Sequence, residues 1–127
     1  MTEVVAALIR EGGRILICQR PPDKARALLW EFPGGKVDPG ETGEEALVRE
    51  CKEELNVILN VGEAYCRVTH QYPDIQVRLT LYHARIMDGR PEKLEHADIR
   101  WVTNVELSRY DFCPADREII LKLMRED

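Results

Sequence analysis

No stretch of this 127-residue chain is apolar for long enough to cross a bilayer: the longest such run, Val4 to Ile9, covers six residues against the roughly 20 that a spanning helix needs. The amino end, Met1-Thr2-Glu3-Val4, has no cationic segment before that run and no small-residue cleavage pattern, so we expect no secretory leader and a cytoplasmic protein. Cysteine is sparse and unpatterned. Cys18, Cys51, Cys66 and Cys113 are separated by 33, 15 and 47 positions, which fits neither paired zinc ligands nor a short redox motif, and we expect reduced thiols. The three histidines, His70, His83 and His96, stand alone and read as packing or surface residues. An excess of positive charge is also missing. With 18 Lys plus Arg against 23 Asp plus Glu, the net charge is −5, the wrong sign for a surface that grips a nucleic-acid polymer. There is no internal repeat, low-complexity tract or linker, so residues 1–127 are expected to fold as one domain.

What is present is an uneven distribution of acid. Between Gly35 and Val57 lie seven acidic residues and three basic ones, while the rest of the chain is nearly balanced, so almost all the excess negative charge sits in one short stretch. Around it, the pattern predicts a hairpin from Val4–Arg10 through Gly12-Gly13 to Arg14–Arg20, then an irregular segment through Trp30 and Phe32 into a tight turn at Pro33-Gly34-Gly35. A helix is expected over Glu44–Asn56. Paired strands follow at Ala64–Thr69 and Gln76–Ile86, the latter with Val77, Leu79 and Leu81 on one face, then a short strand at Ile99–Thr103. A last helix is expected over Pro114–Arg125, with Pro114 in its first turn.

On the first helix, Leu47, Val48, Cys51 and Leu55 should face the core, and Glu50, Glu53 and Glu54 fall on a neighbouring edge at i, i+3 and i+4. Like charges so spaced repel by roughly 0.2–0.5 kcal/mol per pair on an exposed helix, a cost without return unless the negative charge is used. Hard divalent cations take oxygen ligands and leave positions for water and phosphate, which is a use for convergent glutamates. A solvated acidic face is the plain alternative.

The neighbourhood decides between them. Gly35, Glu41, Arg49, Glu50, Glu53, Glu54 and Val57 stand at the spacing G-x5-E-x7-R-E-U-x-E-E-x-G-U, where U is a bulky apolar residue, and the chain resembles the Nudix family. Two positions depart: Cys51 occupies an apolar site, and Asn56 replaces the glycine after the helix, where asparagine is the next-best residue for a left-handed end. The likeness continues from Glu3-Val4-Val5-Ala6-Ala7 through Trp30-Glu31-Phe32-Pro33-Gly34-Gly35 to Pro114-Ala115-Asp116.

This resemblance implies an α/β fold, the α/β/α sandwich around a mixed sheet, and Mg²⁺ or Mn²⁺ dependence. It implies hydrolysis of nucleoside triphosphates to a nucleoside monophosphate and pyrophosphate. By matching position, Glu50, Glu53 and Glu54 are metal ligands, joined by the Gly34 carbonyl and by a downstream carboxylate placed at Glu95. Arg49 orients the glutamates, and Glu41 supports it. Glu53 is the first choice for general base and Glu50 the second, since spacing alone does not separate ligands from proton acceptors. Arg20, Phe32 and Asp116 match positions that contact the nucleotide. Asp116 stands where MutT-type members carry an asparagine that reads oxidised guanine, and Ile75 where such an enzyme can have an arginine; a carboxylate suits the amino group of cytosine at least as well. The expected use is nucleotide-pool sanitation of the 8-oxo-dGTP kind, by a monomer or homodimer, with CTP or 5-methyl-dCTP hydrolysis as the alternative. A Nudix-like binding module without catalysis is the rival from another class; such modules usually lack a box glutamate, and here all are present.

Overall fold

The computed structural model describes residues 1–126. The hydrophobic run near the amino end forms β1 (Thr2–Glu11), which lies parallel to β6 (Gln76–Asp88) from Thr2 opposite Val77 to Ile9 opposite Ala84. β6 pairs antiparallel with β5 (Ile58–Gln71), so the sheet is mixed. The Gly12-Gly13 turn returns the chain into β2 (Arg14–Gln19), but only the last two residues of β1 pair with it. Beyond the turn β2 peels away to pair with β3 (Trp30–Glu31) and β7 (Asp98–Val102). The edge of β1 so released is taken by β4 (Gly34–Lys36), with Ala6 opposite Gly34 and Val4 opposite Lys36.

Alternation along the strands sorts side chains into two cores. Ala6 and Leu8 of β1, Ile15 and Ile17 of β2, and Val77, Leu79 and Leu81 of β6 point to one face. That face is covered by Ile119, Ile120 and Leu123 of α2 (Arg117–Met124). Val5, Ala7, Ile9, Leu16 and Cys18 point to the other, covered by Ala46, Leu47, Cys51 and Leu55 of α1 (Gly43–Leu55). A period of two on the strands and 3.6 on the helices thus builds the three expected layers. Burying Leu47 and Leu55 fully, both at 0% exposure, contributes at most about 1.5–3 kcal/mol each.

Local chemistry fixes where α1 begins and ends. The Thr42 hydroxyl accepts the Glu45 N–H at 3.1 Å while the Glu45 carboxylate accepts the Thr42 N–H at 2.8 Å, a reciprocal capping box. Asn56 ends the helix in the left-handed region at φ 55°, ψ 42°, its N–H donating to the Lys52 carbonyl at 3.1 Å. The expected tolerance of asparagine here is what the backbone shows.

Several sequence expectations need correction. Val48 is only half-buried and Ala46 takes its place in the core, because the buried arc of α1 is centred further toward Ala46 and Leu47. β5 is a 14-residue strand, far longer than Ala64–Thr69, and its polar face together with register shifts near Val61, Ala64 and Cys66 masked the alternation. The last helix is broken at its start: Pro114–Asp116 is a 3-10 turn and α2 begins at Arg117. The segment expected to be irregular contains the two short strands β3 and β4. All four cysteines are free thiols, three of them buried.

The conformation at Asn56 gives a direct test. Asn56→Gly should leave stability within about 0.5 kcal/mol, whereas Asn56→Val should lower it by about 1–2 kcal/mol in urea unfolding, since a β-branched residue resists the left-handed region. Equal effects of the two substitutions would contradict this account of the helix end.

Candidate active site

A cavity of about 450 Å³ opens between the edge of α1 and the loops at one end of the sheet. Its acidic wall comes from α1 and the segment before β7: Glu50, Glu54 and Glu95 all line it. Glu50 and Glu54 fall within the angular span between buried Ala46 and Leu47, so the rotation that buries the core side of α1 also draws these two carboxylates inward. Glu53 falls just outside that span and is exposed. Glycine makes the approach possible. A side-chain carbon on Gly35 would collide with the Glu50 carboxylate, and one on Gly34 with the backbone of Val5 and Ala6 on β1.

Arg49 ties this wall together. Its Nε and Nη2 donate to the two Glu41 carboxylate oxygens at 2.7 and 3.0 Å, its Nη1 to Glu50 at 2.7 Å, and its Nη2 also to the Lys36 carbonyl at 3.1 Å. Glu53 lies 3.5 Å from Nη1. The bonds to Arg49 and to the Asp38 N–H hold the Glu41 carboxyl below the usual carboxylate range. In Glu50 burial wins over Arg49, and its carboxyl is raised. Glu54 has no such partner. One of its oxygens is shut off from solvent without a hydrogen bond, and burial, reinforced by Glu50, Glu31 and Glu95, pushes its carboxyl up to about 9. An enclosed acid oxygen without a partner, among other acids, is chemistry that a divalent ion would satisfy, although among the described residues no three such side chains are already gathered as ligands around one point.

The far end of the cavity is different in character. Phe32 is 3% exposed and packs on Phe112 at a centroid distance of 5.9 Å. Asp116, at the end of the 3-10 turn, is 4% exposed, and burial pushes its carboxyl well above the usual range. Arg20 donates from Nη1 to Glu31 at 3.1 Å and from Nε to the Ala25 carbonyl at 2.8 Å, fixing the loop between β2 and β3. Lys24, Arg26 and Lys36 add positive charge around the opening. An acidic wall, a cationic rim and a largely apolar end can accommodate a cation, a polyphosphate and a flat ring in sequence.

Comparison with known proteins places this arrangement. A family model described as the NUDIX domain matches residues 4–122. The chain belongs to the NUDIX hydrolase family. It is 38% identical to the CTP pyrophosphohydrolase of Escherichia coli K12, over 98% of this chain and 92% of that protein. It is 33% identical to the 8-oxo-dGTP diphosphatase of the same organism, over 97% of this chain and 96% of that protein. The crystal structure of a MutT protein from Methanosarcina mazei superposes with a TM-score of 0.86 at 26% identity, covering 98% of this chain and 93% of that one. Enzymes of the family act with divalent metal cations, in keeping with the orphaned acid at Glu54.

In this NUDIX chain the cavity gathers Arg20, Phe32, Gly34, Glu50, Glu54, Glu95 and Asp116 from five separate segments. Arg49 stands behind the wall, and Glu53 on its exposed side. Ile75 lines the cavity too. Sequence reading overlooked Glu31, Tyr72 and His96. Glu31 lies between two buried aromatics in a two-residue strand, too short to show a period; its only signal was the opposite charge of Arg20, which needs the β2–β3 register to be seen. His96 is buried with its Nδ1 unpartnered, and burial together with Lys24 and Arg20 holds the imidazole down at about 4, hence neutral at pH 7.

Glu54 supplies the test. Without divalent cation, Glu54→Gln should raise Tm by a few degrees, about 1 kcal/mol, by removing an acid that burial disfavours. Added Mg²⁺ should raise the Tm of the parent chain and leave the variant nearly unmoved. A variant stabilised by Mg²⁺ as much as the parent would exclude Glu54 from the cation site.

Proposed function

We propose that this chain is a Mg²⁺- or Mn²⁺-dependent nucleoside triphosphate pyrophosphohydrolase, converting a triphosphate and water to a nucleoside monophosphate and pyrophosphate. The observation that carries this reading is the Glu54 carboxyl, with one enclosed oxygen unpartnered among the described residues, in a cavity also lined by Glu50 and Glu95 and by Arg20, Lys24 and Lys36. The residues that would hold the cation are Glu50, Glu53, Glu54 and Glu95 with the Gly34 carbonyl. Bound there, a divalent ion would neutralise phosphate oxygens and increase the acidity of the attacking water.

The chain's own residues do the rest. Arg49 fixes Glu50 through a 2.7 Å hydrogen bond and so holds the acidic wall in one geometry. Glu53, with only a 3.5 Å approach to Arg49, keeps a carboxylate free to take the proton from water; Glu50 is the second choice, more firmly committed to Arg49. Lys24 and Lys36 attract the phosphate tail. Phe32 offers a ring edge or face to the base, and Asp116 reads it. We infer further that residues 1–127 work as one domain, a monomer or homodimer, in the cytoplasm, where the four free thiols are at home.

For the base, we propose nucleotide-pool sanitation of the 8-oxo-dGTP kind, a role that serves DNA repair. Oxidised guanine presents an N7–H beside O6, which needs one acceptor and one donor. A carboxyl offers both when it holds its proton, and burial raises that of Asp116 well above the usual range. The second reading, CTP or 5-methyl-dCTP, is favoured by the same residue in its ionised form, which accepts from the cytosine amino group.

Incubation with a panel of normal, oxidised and methylated triphosphates and Mg²⁺ should release pyrophosphate, and orthophosphate in its place would overturn the reaction assignment. Glu53→Gln should reduce kcat by about 10²–10⁴ while leaving the circular dichroism spectrum unchanged. Asp116→Asn fixes the amide pattern and should raise the ratio of 8-oxo-dGTP to CTP turnover by roughly tenfold. An unaltered ratio would remove Asp116 from base recognition.

A further inference from the structure

The turn that carries Asp116 has no cap of its own. Pro114 has no N–H, Cys113 provides no side-chain cap, and the Asp116 N–H is satisfied locally by the Cys113 carbonyl at 2.9 Å. That leaves the Ala115 N–H, one residue from the base-reading carboxyl and buried away from water. Its acceptor comes from 43 residues earlier: the Tyr72 hydroxyl, at 2.9 Å. On its other side the turn is hung from β3, where the Cys113 N–H donates to the Trp30 carbonyl at 2.9 Å. The turn that leads into Asp116 is thus tied outward by two bonds, one from Cys113 to the sheet and one from Ala115 to a single phenol.

Tyr72 is in turn held on every side. It is 7% exposed, and its N–H donates to the Ile75 carbonyl at 2.8 Å while its carbonyl accepts from the Gln71 side chain at 2.7 Å. His70 packs edge-on against the ring at 4.5 Å. Across the cavity mouth, the Arg26 guanidinium lies over the ring at 4.1 Å from its centroid and donates to Asp74 at 3.0 Å. Arg26 itself has φ 58°, a left-handed conformation that a non-glycine residue keeps only when its contacts dictate it. Three pieces of chain that wall the cavity thus meet at one aromatic ring: the β2–β3 loop, the β5–β6 turn and the turn before α2.

We propose that Tyr72 is a positioning residue for base selection, its hydroxyl setting the Ala115–Asp116 turn against the cavity and Arg26 clamping its ring in place. The proposal rests on the reading of this cavity as a nucleotide site. It separates base selection from chemistry: among the described residues no hydrogen bond or ring contact of Tyr72 goes to Glu50, Glu54 or Glu95, so its loss should be felt in the fit of the base and not in the attack on phosphorus. Tyr72→Phe keeps the ring and its contacts and removes only the acceptor, leaving the Ala115 N–H buried and unpaired.

The test is steady-state pyrophosphate release from 8-oxo-dGTP, dGTP and CTP by the full chain. For Tyr72→Phe, KM for the preferred substrate should rise roughly tenfold with kcat within about twofold, and the preference among bases should collapse toward unity. Arg26→Met, which removes the guanidinium from a loop side chain that is 22% exposed, should move preference in the same direction by a few-fold. Tyr72→Phe combined with Asp116→Ala should show the preference of Asp116→Ala alone, because the phenol acts through that carboxyl. An unchanged preference in Tyr72→Phe, a kcat loss equal for all bases, or a double variant that loses further preference would each overturn the proposal, including where Tm alone has fallen. A parent chain that releases no pyrophosphate from any triphosphate would overturn the nucleotide reading itself; a parent that turns over with Tyr72→Phe unchanged in preference overturns only the role of Tyr72.

Discussion

The Glu54 carboxyl sets the terms for the rest of the molecule: it is half-buried, it shares a cavity with Glu50 and Glu95, and one of its oxygens is enclosed with no hydrogen-bond partner among the described residues. Arg49 compensates part of the accumulated charge, but its donors are consumed by Glu41, Glu50 and the Lys36 carbonyl. Holding such a cluster costs stability, and the two cores on either face of the sheet must offset it. The fold does so with side chains that are nearly all fully enclosed, among them Leu8, Ile9, Leu16, Leu47 and Leu55.

Rigid and adaptable parts of the cavity come from different kinds of structure. The acidic wall sits on a helix capped at both ends and pressed against β4 by Gly35, where small displacements meet backbone or carboxylate at once. The opposite end is assembled from loops joined by few bonds: Arg20 to Ala25 and Glu31, Arg26 to Asp74, Tyr72 to Ala115. Such a division lets the loop end change by single substitutions without disturbing the helical wall. It accords with the family's members carrying different substrate names on nearly the same backbone.

Much of this was legible beforehand, for reasons that can be given residue by residue. The end of α1 followed from Asn56, whose effect is local, while its start was expected at Glu44 because the Thr42–Glu45 capping box went unread. The face of β6 that carries Val77, Leu79 and Leu81 followed from alternation, whereas β1, apolar from Val4 to Ile9, has no such period and its two faces were not read. The resemblance in the Gly35–Val57 stretch located the acidic wall because those residues share one turn-and-helix unit. Legibility failed where the signal was spread or diluted: in β5, whose exposed face hides the period; at Val48, where the core's centre on the helix depends on what packs against it; and at Glu31, whose strand has two residues.

The sequence by itself determined the elements and the chemistry that a few neighbouring residues can encode: a capped helix with glutamates at i, i+3 and i+4, a glycine-bearing turn before it, and strands with two apolar faces. Only the tertiary structure decided which of those glutamates turn inward, since that depends on the rotation of α1 against the sheet. It also decided that Arg20, Glu31, Tyr72 and Asp116 share one cavity. Their convergence arises because β2 leaves β1 after the hairpin and β4 takes the vacated edge, a pairing choice set by the sum of packing over the whole sheet and by no residue within reach along the chain.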